Sequence, residues 1–179
     1  MRIRTSRVPK DLQKITREGV KFFCENFLHP RTLDRMELIH VKFITVKDKK
    51  NDGLAWCGPT FPEDLRPVEF DIEYNDKYTD MRTREYMITL FHELTHLRQY
   101  ATGQLRDLNN GTTNWRGKNF PADTNYWLQP WEIEAQGMER SVYQLFVQKF
   151  PGYKLKRYAK KYNGRHNTGW DGVSAARKV

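Results

Sequence analysis

The chain reads as an α+β domain: an N-terminal helix, a short mixed sheet, and two further long helices joined by an irregular connection. Three observations lead there. Apolar residues recur at helical spacing in three separate segments, and between the first and second of these they alternate at period two, as in strands with one buried face. A length of 179 residues, 38% hydrophobic and 13% aromatic, is enough for one well-buried core and short for two. No internal repeat or low-complexity linker divides the chain.

From about Pro9 to Leu28, Leu12, Ile15, Val20, Phe23 and Phe27 fall at helical spacing with basic side chains between them, and His29-Pro30 stops the pattern. Met36 to Lys47 alternates around Leu38, Val41, Phe43 and Thr45 and reads as a strand. Leu54 to Cys57 is expected to be its short partner across the turn Lys49-Lys50-Asn51-Asp52-Gly53. Val68 to Tyr74 gives the clearest strand, with Val68, Phe70, Ile72 and Tyr74 on one side and Glu69, Asp71 and Glu73 on a solvent face. A second helix runs from about Asp80, an N-cap candidate, to Thr102, with Gly103 as its stop. Gly103 to Gln129 is a long connection with a small hairpin near Trp115-Arg116-Gly117-Lys118, and connections of this length are usually functional. The last helix starts at Pro130 and carries Trp131, Ala135, Met138, Val142 and Leu145 as its buried stripe until Pro151.

Inside the second helix stands His92-Glu93-Leu94-Thr95-His96. Residues four apart on a helix lie one turn above each other, so both imidazoles can reach one metal ion while the glutamate between them faces a water on that ion. By residue frequencies this HExxH pattern arises by accident in about one chain in a hundred or fewer at such a length. Met87, Leu90, Phe91, Leu94, Leu97 and Ala101 form the apolar stripe of the helix. His92 and His96 project from the opposite side with Glu85 and Thr89, which argues against a core-packing role.

Composition narrows the setting. The longest stretch without a charge, Gly53 to Pro62, contains two prolines and cannot span a bilayer, so no membrane association is expected. Met1 to Asp11 has arginines with no apolar run after them, unlike a secretory signal. Cys24 and Cys57 suggest neither a disulfide framework nor a CxxC site, and Cys57 reads as a buried structural thiol; a cytoplasmic, reducing location is expected. The net charge of +9 sits almost wholly at the end of the chain. From Lys149 onward nine basic side chains face one acid, Asp171, whereas residues 1 to 148 hold 22 basic and 21 acidic ones. Tyr153, Tyr158, Tyr162 and Trp170 interleave with that charge. The segment 151–179 therefore reads as a basic tail that keeps the protein soluble, with nucleic acid as the partner it would suit.

A zinc hydrolase takes three protein ligands and keeps one position open. His166 lies in the tail, and Thr102 stands where an HExxHxxGxxH extension would need a histidine. Glu132 and Glu134, 36 and 38 positions past His96, open the last helix and are the remaining candidates. They point about 160° apart, so only one can serve; Glu132 shares a flank with Gln136, Glu139 and Tyr143.

His-Glu-Leu-Thr-His-Leu-Arg-Gln, Trp-Arg-Gly-Lys and Tyr-Trp-Leu-Gln-Pro-Trp-Glu-Ile-Glu-Ala resemble the corresponding stretches of small gluzincin-type zinc metallopeptidases, SprT-like or phage-encoded. The resemblance covers about Val68 to Tyr143. It implies a zincin-like domain over residues 1–150, a Zn2+ cofactor, Glu132 as third ligand, Gln136 in contact with it where the pattern often has aspartate, and a protein or peptide substrate. It also implies that Val68 to Tyr74 pairs with an extended peptide. Glu93 is then the general base, and Tyr126 or Tyr143 the further donor to the oxyanion. Two other readings stand beside it: a DNA-associated protein of the same fold acting on nucleic-acid-bound proteins, and a non-catalytic interaction protein.

Overall fold

The computed structural model describes residues 1–47, 53–108 and 111–153 and has an α+β fold. Strand β1 (Arg2–Ser6) leads into helix α1 (Lys10–Phe27), a short helix α2 (Pro30–Arg35) and strand β2 (Leu38–Ile44). Strands β3 (Ala55–Pro59) and β4 (Glu69–Asn75) complete a four-stranded sheet ordered β1-β2-β4-β3. β1, β2 and β4 are parallel, and β3 runs antiparallel along the outer edge of β4. Helix α3 (Thr83–Ala101), a small antiparallel sheet of β5 (Leu105–Asp107), β6 (Thr113–Trp115) and β7 (Lys118–Phe120), and helix α4 (Pro130–Lys149) follow.

The sheet departs from expectation in three ways. Arg2–Ser6 is a strand although two of its five residues are arginines: only Ile3 packs on the main core, and the arginines stay exposed, as an edge strand permits. With β1 on one side of β2 and β4 on the other, β2 has no edge left for the expected hairpin partner. Ala55–Pro59 pairs instead with β4, Cys57 opposite Ile72. The same pairing leaves β4 without a free edge, so it cannot take up an extended peptide; β3 is the edge on that side. The turn expected at Lys49–Gly53 lies largely outside the described residues, as does the tail beyond Tyr153.

Alternation sets the faces. Ile39, Val41 and Phe43 of β2 and Phe70, Ile72 and Tyr74 of β4 are buried under the helices, whereas Leu38 belongs to the opposite face. On that face Lys42 bridges Asp71 (3.1 Å) and Glu73 (2.9 Å), and His40 lies 3.3 Å from Asp71, so the carboxylate row meets basic groups of the neighbouring strand.

The helices close the core. α1 buries Leu12, Ile15, Val20, Phe22 and Phe23. It can lie close on α3 because Gly19 stands where a Cβ would come within 2.6 Å of Met87. α3 starts at Thr83, not at Asp80, because Asp76–Tyr78 forms a separate 3-10 turn capped by the Asn75 side chain. It ends as expected: Gly103 has φ +71° and donates to the Tyr100 carbonyl, while the Gln104 N–H reaches Gln99. On α4, Leu145 is 48% exposed and Phe146 is buried in its place, against Phe22 and Phe91 at 5.5 Å each between ring centres. The buried stripe of α4 thus runs Trp131, Ala135, Glu139, Val142, Phe146, drifting one position past the expected one at Glu139 and Phe146. Trp131 belongs to a second small core, with Leu105 and Trp115, through which the β5–β7 sheet docks on the start of α4. No helix among the described residues is long and apolar enough to cross a membrane.

Candidate metal centre

α3 and α4 pack along each other, so the middle of α3 faces the first two turns of α4, where Pro130 fixes the helix start and Glu132 falls in the first turn. A carboxylate there also faces the positive end of the helix dipole. Three donor groups meet in this seam: His92, His96 and Glu132, with one ligand atom of each within 4.8 Å of the others. His92 Nε2 and His96 Nε2 are 3.2 Å apart, Glu132 Oε2 is 3.2 Å from His92 Nε2, and Glu132 Oε1 is 3.3 Å from His96 Nε2. These separations suit a small divalent ion, because N and O donors at zinc-ligand distances occupy tetrahedral corners about 3.3 Å apart.

The charges of the cluster point the same way. Burial works against a charged His92, yet hydrogen bonds to Glu132 and Glu139 outweigh it and push its pKa up to about 10. Burial likewise opposes charge on His96, and Glu132 reverses the balance and raises its pKa. Burial would raise Glu132, but the two imidazoles hold its carboxyl well below the ordinary carboxylate range. Clustered carboxylates thus draw positive charge into a buried seam, which a divalent cation can supply.

The outer nitrogens are also held. His92 Nδ1 lies 3.0 Å from Glu139 Oε2, and His96 Nδ1 lies 2.8 Å from Gln99 Oε1. With Nδ1 donating outward, each neutral ring turns the Nε2 lone pair inward, toward the shared position. Neither partner was expected from the sequence. Glu139 does share the flank of Glu132, two helical turns on, and Gln99 is three residues past His96; both positions were legible as neighbours without an assigned role. Gln136, expected beside Glu132, also lies near enough to Tyr126 to act on its phenol.

Glu93 is 5% exposed, and burial raises its carboxyl pKa, with the nearby imidazoles pulling it back. Tyr126, 40% exposed in the 3-10 turn Tyr126–Leu128, lies near enough to Glu132 and Gln136 for both to act on its phenol. Burial, and then Glu132, raise its phenol pKa. Tyr143 is not brought to the cluster; it packs against the main hydrophobic core, with Arg84 as a charged neighbour. Glu134 is turned away from the histidines, bound to Arg116 (2.8 Å), Arg98 (3.3 Å) and Gln99 (2.8 Å). Cys57 is a free thiol on β3, half-buried and not fully enclosed, near enough to Glu93 to feel its charge; burial is the main cause of its raised pKa. His166 lies outside the described residues.

Comparison of the chain with protein-family models, with curated proteins and with solved structures finds no match.

Proposed function

We propose that the chain is a zinc-dependent metallopeptidase with a zincin-like fold, in which His92, His96 and Glu132 hold the ion and Glu93 serves as general base. The observation that carries this reading is the triangle of Nε2, Nε2 and carboxylate oxygens at 3.2–3.3 Å, with a buried glutamate beside it on the same helical turn. Zinc bound there supplies Lewis acidity, lowering the pKa of water toward about 7 and polarising a substrate carbonyl. The Glu93 carboxylate accepts a proton from the attacking water and returns it to the departing amine nitrogen. Its buried setting favours that cycle, since a carboxyl with a raised pKa holds a proton more readily at the intermediate stage. The Tyr126 phenol, partly exposed and near Glu132, would be the donor that hydrogen-bonds the developing oxyanion. An extended substrate would pair with β3, the edge strand alongside α3.

The test joins metal content to activity. Purified protein should carry about one zinc ion per chain, hydrolyse an unstructured protein substrate, lose that activity to a chelator and regain it with zinc. Protein that takes up no zinc contradicts the proposal.

A further inference from the structure

We propose that Gln99 and Glu134 are positioning residues for His96: Glu134, anchored by the β6–β7 turn, fixes the orientation of the Gln99 amide, and that amide fixes which nitrogen of His96 faces the metal seam. The inference rests on the proposed metal site and adds residues to it.

Gln99 is fully buried, so each side of its amide must meet a complementary group. Its Nε2 donates to two acceptors, Glu134 Oε2 at 2.8 Å and the Trp131 carbonyl at 3.0 Å. Flipping the amide would set its oxygen against both of them. Oε1 is therefore committed to His96 Nδ1 at 2.8 Å, and an amide oxygen only accepts. The neutral His96 ring must then carry its hydrogen on Nδ1 and present the Nε2 lone pair to the seam. His92 achieves the same with a carboxylate, Glu139. His96 is held by a neutral group whose direction is imposed from the next layer out.

That layer is Glu134. Arg116 Nη2 holds its Oε1 at 2.8 Å and Arg98 Nη2 its Oε2 at 3.3 Å, which leaves Oε2 facing Gln99. Arg116 occupies the β6–β7 turn at φ +49°, followed by Gly117 at φ +87°, the two positive φ values that a two-residue hairpin loop requires. Its guanidinium also donates to Gln104 Oε1 at 3.0 Å and lies 4.6 Å from the ring centre of Trp115. The hairpin thus reaches the seam through the chain Arg116, Glu134, Gln99, His96.

Zinc affinity by chelator competition and histidine 1H–15N spectra of the zinc-loaded protein test the proposal on Gln99→Leu, Glu134→Leu and Glu134→Gln. Wild type should show a slowly exchanging proton on His96 Nδ1. Both leucine variants should lose about 10–100-fold in zinc affinity and exchange that proton fast, whereas Glu134→Gln, which keeps an acceptor toward Gln99, should stay closer to wild type. Wild-type affinity and an unchanged His96 signal in the leucine variants, or an equal loss in Glu134→Gln, would overturn it. Should Gln99→Leu fail to fold, Glu134→Leu decides alone, since Glu134 is 24% exposed and tolerates replacement better. The metal-free protein gives a separate reading: the Gln99 side-chain amide should exchange slowly in wild type and fast in Glu134→Leu, and equal rates contradict the network. A wild-type chain that binds no zinc contradicts the metallopeptidase, while this amide reading still decides on the network.

Discussion

Replacing Glu139 isolates what the second layer contributes to the metal centre. Its carboxylate is 4% exposed and accepts from His92 Nδ1 at 3.0 Å. Hydrogen bonds to charged groups contribute about 1.5–3 kcal/mol and neutral ones about 0.5–1.5 kcal/mol. Glu139→Gln keeps an acceptor of the same shape and loses the charge, a difference of about 1–1.5 kcal/mol, which is roughly tenfold in zinc affinity. Glu139→Ala loses the acceptor as well and should fall by about 10–100-fold. Chelator competition reads the affinity directly. Thermal unfolding gives a second measure: at fixed saturating zinc, a tenfold weaker site gives about 1.4 kcal/mol less stabilisation. For a domain of this size that is a zinc-induced rise in Tm smaller by about 3–6 °C. Both variants binding zinc within twofold of wild type, while Glu132→Gln, which removes a proposed ligand, does not, would show that Glu139 has no part in holding the metal.

Other expectations follow from the same structure. Glu132→Ala should lower zinc affinity by more than the roughly 10–100-fold typical of an outer-layer loss, whereas Glu134→Gln should not, and metal titration separates them. Phe146→Ala should cost about 3–5 kcal/mol in denaturant unfolding, because its ring is fully enclosed by Phe22, Phe91, Phe150 and Tyr153. Leu145→Ala, one position away and 48% exposed, should stay within about 0.5 kcal/mol of wild type. Burial pushes the Cys24 thiol from 9.0 up to about 12, so its alkylation at pH 8 should run roughly a thousandfold slower in the native protein than in the unfolded chain. Because the folded thiol titrates above the unfolded one, its contribution to stability is intact below pH 9 and lost as pH rises through about 12, which a pH series of unfolding midpoints would show.

Features set by local spacing were legible in the chain. HExxH needs only one helical turn to bring two imidazoles together, and the Gly103 stop, the Trp115–Lys118 hairpin and the Pro130 start each follow from the backbone preferences of one or two residues. Features set by tertiary pairing were not. Arg2–Ser6 carries too little apolar signal to announce a strand and gains its place by pairing with β2. Leu54–Cys57 has the composition of a strand but no mark of its neighbour, and adjacency in sequence wrongly suggested β2. In the site, the 160° between Glu132 and Glu134 separated the two candidates without saying which faces α3; the packing of α4 on α3 makes that choice. Glu139 and Gln99 acquire their roles only when His92 and His96 are seen to need acceptors behind them.

In the proposed function the seam between α3 and α4 holds a hydrolytic zinc ion served by Glu93. This is tested most directly by measuring bound zinc and peptide hydrolysis together in wild type and in Glu93→Gln, an isosteric change outside the ligand set. Both proteins should carry about one zinc ion per chain, and the variant should lose at least about 10²–10⁴-fold in hydrolysis, the usual contribution of a general base. Protein without zinc, or a Glu93→Gln variant as active as wild type, would contradict it.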